Sequence, residues 1–141
     1  MSYIPEKLRQ QVIKRAQGRC EYCQTQQVIV VAMEIDHIIP EASDGQSTLE
    51  NLCLACIGCN GFKYSFQTGI DPTTGIESEL FNPRSQLWSD NFKWSDDGLE
   101  IIGRTAIGRA TVNRLRMNRD AIMKSRQRWV QAGWHPPNDK D

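Results

Sequence analysis

Histidine, net charge and long apolar runs are what this sequence is short of. Only two histidines, His37 and His135, occur in 141 residues, so imidazole chemistry near neutral pH is confined to two positions. The 17 basic and 17 acidic side chains cancel, which removes the global positive field that would draw a polyanion to the whole surface. No apolar run approaches the length of a membrane span, and the opening Met-Ser-Tyr-Ile-Pro-Glu-Lys lacks the apolar core of a signal peptide. No membrane association and a cytoplasmic location are therefore expected. An even cysteine count is missing too: two C-x-x-C pairs and one further thiol make 5 cysteines, a poor disulfide framework but a good fit to metal-bound thiolates in a reducing compartment.

What remains is ordinary for a soluble globular protein, with 39% hydrophobic and 24% charged residues. The length predicts a single domain over residues 1–141, small enough to gain from a metal staple. Charge cancels overall but not locally. Ile101 to Arg128 holds eight Lys or Arg and one acid, Asp120, whereas Asp71 to Glu100 holds seven acids and two bases. The basic C-terminal part is where DNA is expected to lie, with Arg109 and Arg116 as candidate contacts.

The most informative stretch runs from Cys20 to Lys63. Cys20-Glu-Tyr-Cys23 and Cys56-Ile-Gly-Cys59 bracket Glu34-Ile-Asp-His-Ile-Ile-Pro40 and Asn51-Leu52. Four thiolates in two tight turns can reach one tetrahedral Zn²⁺ with little strain, and such a closed site leaves no position for substrate. Cys53 forms an alternative knuckle with Cys56; the pair Cys56 and Cys59 is preferred, with Cys53 as a small buried apolar residue. Chemistry then falls to the bracketed Asp36, His37, Asn51 and Asn60. His37 suits a general base. Asp36 and the amide oxygen of Asn60 are hard donors suited to Mg²⁺ or Mn²⁺, and Lys63 offers a point charge for phosphate.

Along the chain, Pro5 to Gln17 reads as a helix ended by Gly18, with Lys7, Arg9, Lys14 and Arg15 on a solvated face. Val28 to Met33 and Glu34 to Ile38 have strand character, which places Asp36 and His37 on or beside a strand. A helix is expected over Leu52 to Lys63, with Asn60 and Lys63 on one face. Within Gln67 to Pro83, Asp71-Pro-Thr-Thr-Gly75 reads as a loop, and Phe92–Trp94 and Leu99–Ile102 read as a hairpin around Asp96-Asp-Gly98. Trp88, Phe92 and Trp94 are read as core or hairpin-face residues. A long helix from Thr105 or Thr111 to about Gln131 stops at Gly133, with Arg119 and Arg126 inside its apolar arc, paired with carboxylates or aimed at a ligand. The polar tail from Pro136 is expected to fray.

The ordered run of C-x-x-C, Asp-His-Ile-Ile-Pro, Asn-Leu and C-x-x-C-Asn-x-x-Lys resembles the HNH endonucleases, whose catalytic unit is a ββα-metal finger. Phe81-Asn-Pro-Arg84, Gly108-Arg-Ala-Thr-Val112 and Trp134-His-Pro-Pro137 look like an uncharacterised bacterial, especially cyanobacterial, subgroup. The resemblance implies an α+β fold in which a zinc-stapled finger over 18–66 is joined by a hairpin and long helix over 84–135. It implies metal-dependent cleavage of DNA, with His37 as base, Asp36 and Asn60 as ligands of the catalytic divalent metal, and Asn51 fixing the His37 loop. Asn60 stands where many members carry histidine, which favours a hard metal over Ni²⁺ or Zn²⁺. Two other readings stay open: a zinc-dependent nucleic-acid-binding module without catalysis, and a ribonuclease.

Overall fold

A computed structural model describes residues 3–27, 29 and 32–137. The strand expected over Val28 to Met33 falls largely on residues outside those described, as does the tail beyond Pro137. Helices and short antiparallel sheets alternate along the chain, which makes the fold α+β. Among the described residues no helix is long and apolar enough to cross a membrane. The chain divides into two compact units, one comprising residues up to Gln67 with Asn82–Gln86, the other Thr68–Phe81 with Leu87 onward.

In the first unit, helix α1 spans Glu6–Ala16. Pro5 precedes it, where the missing N–H costs nothing, and Gln17 and Gly18 both take left-handed backbone at its end, φ 56° and 67°. Strand β1, Met33–His37, pairs antiparallel with β2, Leu52–Cys56, so that Asp36 lies opposite Cys53 and His37 opposite Leu52. Helix α2, Ile57–Lys63, follows at once. The helix expected from Leu52 therefore begins five residues later. Leu52 to Cys56 is buried at every position because both faces are covered: Leu52 and Leu54 join Ile4 and Val12 under α1, while Cys53 faces Tyr22 and Asp36. A continuous apolar run of that length suits a doubly covered strand as well as a buried helix. A single 3-10 turn, Glu41–Ser43, links the strands and ends in left-handed Asp44.

The second unit holds two hairpins. Strands β3, Thr68–Ile70, and β4, Glu77–Glu79, flank the loop expected over Asp71 to Gly75 and pair across it. Their polar residues carry no strand signature, and the pairing is closed by a helix instead. A Cβ on Gly69 would lie 3.0 Å from the Ala110 carbonyl oxygen, so glycine lets β3 approach helix α4, Ala106–Arg114. After the one-turn helix α3, Trp88–Asn91, the second hairpin pairs β5, Phe92–Trp94, with β6, Ile101–Gly103. Trp88 packs against Phe92 and Trp94 with centroids 5.2 and 5.8 Å apart, so these aromatics are packing residues.

The expected long C-terminal helix is two helices. Thr105 caps α4 through Gly108 N–H at 3.0 Å, the chain turns through Arg116 at φ 47°, and α5 spans Asp120–Gln131. The break is held by tertiary contacts. Asn118 takes the Ile101 N–H at 2.8 Å and gives its amide to the Ile101 carbonyl at 2.9 Å. Fully buried Arg126 donates to the carbonyls of Leu99 and Met117 and to Asn118 Oδ1, at 2.8, 2.6 and 3.1 Å, with its guanidinium 5.3 Å from the Trp94 ring centre. These hydrogen bonds go to carbonyls and an amide, where the sequence reading expected a carboxylate or a ligand.

Candidate functional site

Two local turns build the metal centre. Cys20 Sγ accepts the Cys23 N–H and Cys56 Sγ accepts the Cys59 N–H, both at 3.4 Å, so each C-x-x-C curls around its first sulfur. The four sulfurs lie within 4.8 Å of one another and all four residues are buried. Cys23 and Cys56 sulfurs are 3.7 Å apart, close to the ~3.8 Å edge that Zn–S bonds of about 2.3 Å give a tetrahedron. Burial pushes the Cys20 thiol up, and the neighbouring thiols, Cys20 first, push Cys59 up while drawing Cys23 and Cys56 down. A divalent ion suits all four sulfurs as thiolates. The donors fit a structural zinc. Cys53 lies outside this group. Its sulfur is 3.5 Å from Tyr22 OH and 3.7 Å from Asp36 Oδ2, and burial followed by the Asp36 charge holds its thiol well above the usual range. The apolar reading of Cys53 thus gives way to a neutral thiol in a polar network.

That network centres on Asp36. Its carboxylate, on a residue 5% exposed, accepts from Tyr22 OH at 2.8 Å and pairs with Lys63 Nζ at 3.2 Å. Lys63, 2% exposed, reaches it from the last turn of α2 and also donates to the carbonyls of His37 and Ile38 at 3.2 and 3.3 Å. Asn60 lies one turn earlier on the same helix and donates to Glu34 Oε1 at 3.0 Å. Asn60 and Lys63 thus both reach β1, at Glu34 and Asp36, two residues apart on one side of the strand.

His37 points the other way. Its Nε2 is 2.9 Å from Ser47 Oγ and its Nδ1 is 3.9 Å from Glu41 Oε1, the second a charge pairing beyond hydrogen-bond range. Asn51 ties the following loop: its Oδ1 accepts the Ile39 N–H at 2.8 Å, and its Nδ2 donates to the carbonyls of Ile39 and Gln46, both at 3.0 Å. Arg15 flanks that tie, donating to the carbonyls of Leu49 and Leu52 at 2.8 and 2.5 Å. It is exposed, as expected of the solvated face of α1, and is a tertiary anchor as well.

Asp36, Lys63 and the His37 backbone are thus brought together, and Asn51 is hydrogen-bonded beside them. Asn60 is hydrogen-bonded to Glu34, and Lys63 occupies Asp36. Arg109 and Arg116 lie in the second unit, where Arg109 makes a two-pronged pair with buried Asp71 at 2.9 and 2.8 Å. Sequence reasoning passed over Tyr22 and Ser47 and read Arg15 and Glu41 as solvated. Tyr22 sits inside the first knuckle and Glu41 four residues after His37, but nothing in their spacing marks either as a partner.

The second ion that the resemblance implies meets a donor set of hard oxygens from Asp36, Asn60 and Glu34. The ammonium of Lys63 already stands as a cation on the Asp36 carboxylate, so a positive charge belongs there. Oxygen donors of this kind are those that hard divalent cations take, and Lys63 now fills the place on Asp36 that such an ion would need.

Residues 20–66 match the family model described as HNH endonuclease. The matched segment contains both cysteine knuckles, Asp36, His37, Asn51, Asn60 and Lys63. No curated protein and no solved structure matches the chain. Residues 20–66 are thus similar to an HNH endonuclease, and within them four cysteines are arranged so that they could hold a metal ion.

Proposed function

We propose that the chain is an HNH endonuclease that hydrolyses phosphodiester bonds in DNA. The observation that carries this is the placement of His37 at the end of β1, with a carboxylate facing Nδ1 and Asn51 bonding the loop that follows. Nε2 of His37, now against Ser47, is the atom that would take a proton from the attacking water. Asp36 and Asn60 would hold Mg²⁺ or Mn²⁺, which when bound neutralises charge developing on the phosphate and leaving oxygen. Lys63, released from Asp36, is a point charge for the same phosphate. The quartet Cys20, Cys23, Cys56 and Cys59 would hold Zn²⁺ and keep β2 and α2 in register with the first knuckle.

A second reading, a nucleic-acid-binding module without catalysis, draws on one observation: Tyr22 and Lys63 already satisfy Asp36. Incubation with supercoiled plasmid, single-stranded DNA or RNA, with Mn²⁺ or Mg²⁺ and chelator controls, separates the two. Metal-dependent nicking that His37→Ala abolishes while zinc content is unchanged supports the nuclease. Cleavage of RNA alone moves the substrate to RNA. Zinc-loaded wild type that cuts nothing leaves the binding module.

A further inference from the structure

Asn60 differs from a carboxylate ligand in that only one end of its side chain can hold a cation. The amide oxygen Oδ1 offers lone pairs, whereas Nδ2 carries two protons and has none to give. A half-turn about the last side-chain bond exchanges the two ends, and that torsion is broad and nearly two-fold. A neighbouring group must therefore choose the oxygen.

The main chain of Asn60 is already fixed. It directly follows Cys59 of the sulfur quartet, and its carbonyl accepts the Tyr64 N–H at 2.9 Å at the end of α2. In the side chain, Nδ2 donates to Glu34 Oε1 at 3.0 Å, and no hydrogen bond among the described residues goes to Oδ1. An ionised carboxylate only accepts, so Glu34 selects Nδ2 and rejects Oδ1. Glu34 is itself placed by the pairing of β1 with β2, opposite Ala55, on the same side of its strand as Asp36. Helix α2 meets that side twice, with Asn60 on Glu34 and Lys63 on Asp36. The plain alternative is a solvated glutamate. Glu34 is exposed, and substitutions at such positions change stability little, so stability and metal affinity separate the two readings.

We propose that Glu34 is a positioning residue of the candidate metal site: by accepting Nδ2 of Asn60 it presents Oδ1 to the divalent cation. Glu34 acts through Asn60. The inference rests on the metal-dependent reading above and adds to it the residue that decides which atom of Asn60 is the ligand. Partners that hold a metal ligand in its binding orientation change metal affinity by about 10- to 100-fold when they are removed.

The test is titration of the zinc-loaded full chain with Mn²⁺, the free ion being read by electron paramagnetic resonance. Wild type is compared with Glu34→Ala, Glu34→Gln, Asn60→Ala and the double variant of Glu34→Ala with Asn60→Ala. Glu34→Ala is expected to weaken Mn²⁺ binding about tenfold at an unchanged melting temperature. Glu34→Gln, which keeps an acceptor oxygen for Nδ2, should recover part of that loss. The double variant should lose no more than Asn60→Ala alone, since a residue acting through Asn60 then has nothing to act on. Equal losses in Glu34→Gln and Glu34→Ala, or additive losses in the double variant, overturn the proposal and make Glu34 a ligand or a charge in its own right. Should Glu34→Ala not fold, nuclear magnetic resonance of wild type with Mg²⁺ decides: the Asn60 side-chain carbonyl carbon is expected to shift while its amide protons keep their hydrogen-bonded positions. Amide protons released by Mg²⁺ overturn the proposal. Wild type that binds no Mn²⁺ overturns it together with the metal-dependent reading, whereas Mn²⁺-dependent cleavage by a Glu34→Ala variant of wild-type Mn²⁺ affinity overturns it alone.

Discussion

At the scale of single residues, the decisive contact is the ammonium of Lys63 on the buried carboxylate of Asp36. Removing one partner of a buried ion pair leaves an uncompensated charge, at a cost of about 3–5 kcal/mol. Lys63→Met keeps the aliphatic stem and removes only that charge. In zinc-loaded protein without added Mg²⁺ or Mn²⁺ it is expected to lower the melting temperature markedly, because Asp36 is 5% exposed and retains neutral partners in Tyr22 and Cys53. If Asp36 is also a metal ligand, the same variant should bind Mn²⁺ more tightly than wild type, since no internal cation competes. Electron paramagnetic resonance titration of free Mn²⁺ measures this directly. A variant that is destabilised but gains neither Mn²⁺ affinity nor Mn²⁺-dependent melting would assign Asp36 a structural role. The sequence displayed both residues, but not that they meet: a strand residue and a helix residue 27 apart pair only once β2 has turned α2 back onto β1.

At the scale of elements, the helix break between α4 and α5 depends on Arg126. Arg126→Met leaves the carbonyls of Leu99 and Met117 without this donor, and a lost bond to a buried acceptor costs about 1–3 kcal/mol. A loss of roughly 3 kcal/mol in denaturant unfolding is expected, and Arg126→Lys should recover little of it, because an ammonium cannot reproduce the planar fork that spans two carbonyls. The β3–β4 loop depends on a different charge. Arg109 holds the Asp71 carboxyl at about 2, below its ordinary 3.8. A depressed acid contributes stability above its unfolded value and loses it as pH falls through the folded one. The melting difference between wild type and Asp71→Asn should therefore be constant above about pH 4 and shrink toward pH 2. A difference that persists unchanged to pH 2 would mean that the carboxylate charge is not what Arg109 recognises.

These elements also mark where sequence reading succeeds. Helix α1 was legible because Pro5, the Leu8, Val12 and Ile13 spacing and Gly18 are local signals, each acting within a turn. The two knuckles were legible because C-x-x-C geometry is local as well. Strand β2, the β3–β4 hairpin and the α4–α5 break were not, since each is decided by a partner distant in sequence: α1 and Tyr22 against β2, α4 against Gly69, and Ile101 against Asn118. Periodicity across Val112, Leu115 and Ile122 continued through residues that turn away to satisfy another strand.

At the scale of the whole molecule, the distribution of aromatic residues makes the two compact units separately observable. Trp88, Trp94, Trp129 and Trp134 all belong to the second unit, and Tyr3, Tyr22 and Tyr64 all belong to the first. The first unit has a small apolar core; its four fully enclosed members, Ile4, Val12, Leu52 and Leu54, contribute about 1.5–3 kcal/mol each before chain entropy is subtracted. A four-thiolate zinc contributes about 10–16 kcal/mol in comparable small sites, more than the usual net stability of a domain. Zinc removal by a strong chelator is therefore expected to unfold residues 20–66, read as loss of tyrosine circular dichroism and of amide protection in β1, β2 and α2. If each unit folds by itself, tryptophan emission stays native under the same treatment and is lost in a separate, later denaturant transition. If the chain unfolds as the single domain its length predicts, tyrosine and tryptophan signals move together with zinc release. The first outcome would make the second unit a scaffold that outlasts the four-cysteine cluster; the second would make the whole fold contingent on four cysteines.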